Sequence, residues 1–138
     1  MNRTFIAAAA AAIAFAAVSI FTVAPAVANN DWAAAADNPG NGSPNMASGP
    51  DGQQKVESRA LSGCSGDTPG NSGCVIIASS PQCVAIAVSP SSGFTEVAGG
   101  SGATAQAAAN AAVAALKKKG FSDGTAEAGT VCAWDPQS

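Results

Sequence analysis

Apolar and polar residues alternate in blocks along this chain, and the blocks predict its elements. Phe5 to Val23 is an unbroken apolar or small-residue run, rich in alanine, behind Arg3. Residues 29–63 hold five Asn, five Gly and three Pro, with only Trp32, Met46, Val56 and Leu61 as sizeable apolar side chains. So little bulk predicts a flexible leader over 29–48, because the burial available does not offset the entropy of ordering. Pro50 suits the first turn of a short helix over Asp51 to Ser62, weakened by Gly52. From Cys74 the pattern sharpens. Cys74–Ala78 and Cys83–Val88 are β-branched runs separated by Ser79-Ser80-Pro81-Gln82, and Phe94–Ala98 follows Pro90-Ser91-Ser92-Gly93. Both faces of Cys83–Val88 are apolar, which predicts a central, covered strand. The short connections predict an antiparallel meander.

Gly99-Gly100-Ser101-Gly102 leads into a helix predicted over Ala103 to Lys119, where eleven of seventeen residues are alanine, valine or leucine. Ala105, Ala109, Ala112, Val113 and Leu116 form its apolar stripe. Lys117-Lys118-Lys119 suits the negative end of the helix dipole, and Gly120 stops the helix. Thr125–Trp134 returns as a last strand. The expected fold class is α+β: a small antiparallel β-β-β-α-β sheet with one alanine-rich helix packed on it and two disulfides. The folded domain is expected over 49–138.

The amino-terminal run changes the picture of where the protein works. A positive start, an apolar middle and Ala26-Val27-Ala28 read as a signal peptide over 1–28, cleaved after Ala28. The run is alanine-rich and a cleavage pattern follows it, which favours export over a retained membrane anchor. Without residues 1–28, which contain Arg3 and no acid, five basic and nine acidic side chains remain, a net charge of −4. Nucleic acid requires neutralised phosphates and is not an expected partner; a stable membrane anchor is not expected after cleavage.

Cys64, Cys74, Cys83 and Cys132 all follow the proposed cut. An even count in an exported chain predicts two disulfides. Zinc is the competing use. The chain has no histidine, so a site would need four thiolates, which usually come as close C-x-x-C pairs; the gaps here are nine, eight and forty-eight residues. Three pairings are possible. Cys64–Cys74, closing a polar turn-rich loop over 65–73, with Cys83–Cys132, tying the second strand to the last, is the favoured one.

The cysteine before a polar loop at Cys64, then Cys74-Val75-Ile76-Ile77, Cys83-Val84-Ala85-Ile86-Ala87, the Gly99–Gly102 unit before an alanine-rich helix, and Cys132 together resemble the secreted, mostly actinobacterial domain of unknown function 4189. The resemblance covers about Cys64 to Trp134. It implies an exported domain with structural disulfides and no known activity. Members look as if they carry an earlier Gly-Ala-Ile-Ala strand, whose place is taken here by the Asn/Gly/Pro leader, so the resemblance implies a shortened version.

Candidate chemistry is sparse. Histidine and tyrosine are both missing, which removes the usual general base and the phenolic acid. Gly100-Ser101-Gly102-Ala103-Thr104-Ala105 spells a G-x-G-x-x-A variant, and a helix start can hold phosphate on free N–H groups. A dinucleotide site needs a parallel βαβ unit, so the expectation is a close strand-to-helix turn, with Gly100, Ser101, Gly102 and Thr104 as weak candidates for anion contact. Glu96 and Glu127 could face each other as a carboxylate pair, with Asp123 and Asp135 nearby. Ser79, Ser80, Ser91 and Ser92 lack an elbow motif and a base. The lysine triplet reads as a helix terminus rather than a binding patch. No cofactor, metal site or catalytic residue is expected. The favoured function is a secreted, non-enzymatic module that binds an unidentified protein or envelope partner. The alternative is a small-ligand or anion-binding protein, or an unrecognised enzyme, using the glycine-rich loop.

Overall fold

The computed structural model describes residues 30–39, 43–65 and 73–136. The predicted signal peptide lies outside the described residues, as does most of the predicted 65–73 loop. The elements in chain order are β1 (Trp32–Asp37), β2 (Asn45–Gly49), α1 (Gln53–Ser65), β3 (Val75–Ser80), β4 (Cys83–Val88), β5 (Val97–Gly102), α2 (Ala105–Lys118) and β6 (Thr125–Cys132), with a 3-10 turn over Pro90–Ser92. The fold is α+β and antiparallel, with disulfides Cys64–Cys74 and Cys83–Cys132. It has two helices and two three-stranded sheets, ordered β2-β1-β3 and β5-β4-β6, rather than one sheet and one helix.

The predicted flexible leader is corrected here. Residues 32–37 and 45–49 form β1 and β2, and Ala33 to Ala36 are completely buried. Four alanines offer little bulk and poor strand propensity, so counting large side chains missed them. Their small size is what admits the neighbouring layers. Ala33 and Ala35 join Val84, Ile86, Val88, Val97, Val131 and Ala133 in a core between the two sheets. Ala34 and Ala36 face the other way, onto Val56, Ala60 and Cys64 of α1. On the far side Cys83, Ala85, Ala87 and Ala98 meet Ala108, Ala112 and Leu116 of α2. The chain therefore stacks four layers: helix, sheet, sheet, helix.

The meander is corrected too. β3 and β4 lie in different sheets, joined by Pro81 and Gln82. Gln82 donates its N–H to Ser80 Oγ, and its carbonyl accepts from Ala133 N, which starts the second sheet. The predicted central strand Cys83–Val88 is central and wholly buried. The expected α2 stripe holds at four of its five residues: Ala112 and Leu116 are buried and Ala109 and Val113 pack against the same core, Ala108 joins them, and Ala105 is exposed. Gly120 ends the helix at φ +101, with Gly120 N–H on Lys117 O and Phe121 N–H on Leu116 O, a Schellman stop.

The two halves repeat one plan. β1-β2-α1-β3 and β4-β5-α2-β6 are both β-β-α-β, each with its first strand central. Aligning Ala35 with Ile86 pairs Met46 with Gly99 and Ala78 with Gly129, and a register shift follows that position in both halves. Across the sandwich β1 meets β4, β3 meets β5 and β2 meets β6. Exchanging the halves maps these contacts onto themselves, as a pseudo-twofold requires.

Candidate functional site

The glycine-rich segment is a strand rather than a loop. Gly99 to Gly102 belong to β5 and pair with Cys83 to Ile86 of β4. A side chain at Gly100 would run into Ala112 N and the Ala111 and Ala108 backbone; one at Gly102 would lie 2.7 Å from Ala107 Cβ and Ala108 N. Both glycines let α2 lie directly on the sheet. The reason is close approach and not positive φ, which neither residue has. Gly99 faces the other sheet, against Ile77 O. Ser101 and Thr104 are exposed, but Thr104 Oγ1 accepts from Ala107 N at 3.1 Å and caps α2. The candidate anion contacts are thus a strand, its helix partner and a capped helix start.

Glu96 and Glu127 do not lie on neighbouring strands. Glu96 precedes β5 and Glu127 lies in β6, and β4 separates those two strands. Asp123 accepts from Ser89 Oγ and from Ser91 N, each at 2.7 Å. These bonds hold its carboxyl below the ordinary aspartate value, Ser89 contributing most. Asp135 accepts from Cys132 N at 2.7 Å and closes the turn after β6. Ser91 and Ser92 also work locally: Ser92 Oγ donates to Ser89 O and accepts from Glu96 N. Ser79 accepts from Trp32 Nε1 at 2.7 Å and donates to Glu57, whose carboxylate also accepts from Gln53. This chain ties α1 to β1 and β3. Ser80 is buried and accepts from Gln82 N. Among the described residues there is no group of three or more His, Cys, Asp or Glu placed to hold a metal ion.

A family model described as a domain of unknown function, DUF4189, matches residues 32–132. The chain belongs to this family. The match begins at the first residue of β1 and ends at the last cysteine, so the DUF4189 unit here comprises both halves of the sandwich. This corrects the expectation of a shortened version: the match takes in β1, Trp32–Asp37, and β2. No curated protein matches the chain, and no solved structure does.

Two further features of the DUF4189 domain were missed in the sequence. Asp37 is buried at the end of β1, where the repeat places Val88 in the second half, and its Oδ1 has no hydrogen-bond partner among the described residues. Burial raises its carboxyl above the ordinary value; the Asn38 backbone N–H and the charge of Lys119 act in the opposite sense. The second feature is a groove of about 500 Å³ between β2 and β6, lined among others by Asn45, Met46, Ile86, Thr130, Val131 and Asp135. It opens on the side where Met46 faces Gly129, while the opposite side is drawn shut by Gly99 against β3. Among the described residues Val75, Phe94 and Trp134 are the large apolar side chains left exposed. No described helix is long and apolar enough to cross a membrane.

Proposed function

We propose that this DUF4189 chain is a secreted, non-enzymatic module that binds a macromolecular partner outside the cell. The observation that carries this reading is the contrast between its polar and apolar side chains. Ser79, Glu57, Ser89, Asp123, Thr104 and Asp135 are engaged in holding turns, caps and layers together. Phe94 and Trp134, by contrast, are 57% and 59% exposed and belong to none of the core clusters. Exposed aromatics are the residue type that anchors protein interfaces. Two disulfides suit an oxidising compartment, and the signal-peptide pattern over 1–28 supplies the route.

The test uses the oxidised protein from residue 29 onward as bait in culture filtrate and envelope extract, with reduced and alkylated protein as the control. Species retained only by the oxidised form, together with an exported amino terminus at Asn29, support the reading. Equal retention by the unfolded control refutes it. A second reading, a small-ligand carrier, is favoured by the β2–β6 groove rather than by the glycine strand, since its volume falls within the usual range for ligand sites. Native mass spectrometry showing a ligand that copurifies would support that reading.

A further inference from the structure

The two halves of the sandwich are joined covalently at a single place. β3 ends at Ser80 and β4 begins at Cys83, so Pro81 and Gln82, both exposed, are the whole link. Neither disulfide crosses it: Cys64–Cys74 lies within the first half and Cys83–Cys132 within the second. Both flanking residues are fixed in their sheets. Ser80 pairs with Ala33, and Cys83 pairs with Gly102 and with Cys132. From Ser80 to Cys83 the chain reaches at most about 10–11 Å, and stacked sheets lie about 10 Å apart. A link this short closes one chain on itself without slack. Pro81 stiffens it further, since its ring fixes its own φ and holds Ser80 extended.

Opening the link costs little within the link itself. Gln82 N–H leaves Ser80 Oγ, whereas the Gln82 carbonyl keeps Ala133 N because both belong to the second half. The contacts given up lie between the sheets. They are Ala33 and Ala35 against Val84, Ile86 and Val131, and Ser48 Oγ on Asp135 O. A second copy opened in the same way offers every one of them again. The fit is specific to unlike halves, because Gly99 of the second half admits Ile77 O of the first and Gly129 admits Met46.

We infer that two copies of this chain exchange halves: β1-β2-α1-β3 of each closes on β4-β5-α2-β6 of the other, with Pro81-Gln82 as the hinge. Both disulfides stay intact through the exchange. Short hinges without slack favour this route to a dimer. The exchange also builds each β2–β6 groove from two chains. Asn45 and Met46 come from one copy, and Ile86, Thr130, Val131 and Asp135 from the other.

The experiment refolds the oxidised protein from residue 29 onward out of urea, at low and at high protein concentration, and measures mass by light scattering after gel filtration. At high concentration a species of twice the chain mass is expected. It should persist on dilution, because its separation requires the inter-sheet core to open, and should revert to monomer after a second passage through urea at low concentration. Inserting a run of glycines between Pro81 and Gln82 is expected to lower the dimer yield by about tenfold, since slack raises the effective concentration of one half for the other within a chain. Monomer at every concentration overturns the exchange. A dimer that dissociates on dilution, or whose yield the insertion leaves unchanged, overturns it in favour of contact between outer surfaces. A second measurement leaves the hinge untouched. Ala35→Asp places a charge in the inter-sheet face of the first half, and Val84→Asp does so in the second. Neither variant is expected to unfold cooperatively alone. Refolded together, the intact second half of one and the intact first half of the other should regain a cooperative transition as a one-to-one complex. No regained transition overturns the exchange as well.

Discussion

Replacing Gly100 with alanine tests the close approach of α2 to the β5 backbone. The added Cβ would meet Ala112 N, would lie 2.6 Å from the Ala111 carbonyl carbon and would lie 2.7 Å from Ala108 O. All three are helix backbone atoms, so no side-chain rotation relieves the contact and α2 must move off the sheet as a unit. Ala85, Ala87, Ala98, Ala108, Ala112 and Leu116 share that layer and lose contact with it. Overpacking of this kind costs about 1–3 kcal/mol, and the rigid neighbours place the change near the upper end. Against it stands the lower entropy of the unfolded chain when glycine becomes alanine, about 0.4–1 kcal/mol. The net expectation is a loss of about 2 kcal/mol, or roughly 10 °C in Tm for a domain of this size. Gly93→Ala is the counterpart: φ is +70 and no atom lies within 4 Å of the added Cβ. It isolates conformational strain, about 1 kcal/mol. Both are read by urea unfolding of the oxidised protein. If Gly100→Ala is as stable as wild type, α2 does not lie on the β5 backbone and the layer geometry is wrong.

Two further outcomes are expected. Because burial raises the folded-state pKa of Asp37 above the ordinary 3.8, its contribution is least unfavourable at low pH and becomes fully unfavourable above the raised value. Asp37→Asn should therefore be at least as stable as wild type at neutral pH, with the difference shrinking as pH falls toward 3.8; a difference that grows on acidification would reverse the sign of the argument. Removing the long disulfide by Cys83→Ala/Cys132→Ala, at a separation of 49 residues, should cost about 4 kcal/mol, and removing the short one by Cys64→Ala/Cys74→Ala, at 10, about 3 kcal/mol; the two urea midpoints rank them.

The second half of the chain was legible because its signals are strong. Cys83–Val88 is apolar on both faces, Gly120 closes an alanine helix, and the Cys83–Cys132 pairing required β6 to lie beside β4, as it does in register. In the first half the helix after Pro50 and the strand after Cys74 were legible too, but β1 and β2 were hidden because Ala33 to Ala36 carry neither bulk nor strand propensity, and their burial depends on partners distant in sequence. The two-sheet stack was hidden for a related reason. A two-residue link such as Pro81-Gln82 resembles a hairpin turn until Gln82 is seen to join the second sheet. The glycines near residue 100 were visible as a close approach, but the segment was read as a loop because a Gly-rich strand is rare. Asp37 gave no local signal; only alignment of the halves reveals a carboxylate where the other half has valine.

That alignment also explains why the halves pair with each other. Each half has its own disulfide and its own helix, yet each presents an apolar sheet face, Ala33 and Ala35 in one and Val84, Ile86 and Val88 in the other. Halves of about fifty residues are marginal alone because they bury a small share of their surface. The pseudo-twofold would also let either half pair with a copy of itself. The matched positions oppose this. In the intact chain Gly99 lies against Ala78 and Gly129 lies against Met46, so each crossing contains one glycine. Two copies of the second half would set Gly99 against Gly129 twice, leaving voids; two copies of the first would set Met46 against Ala78 twice, forcing the sheets apart. Both defects are destabilising. Fragments 30–81 and 82–136, each oxidised, are therefore expected to show no cooperative unfolding alone and to regain it on equimolar mixing, as a one-to-one complex. A fragment that unfolds cooperatively by itself, or a second-half homodimer as stable as the mixture, would show that the inter-sheet core and its glycine crossings do not decide the pairing.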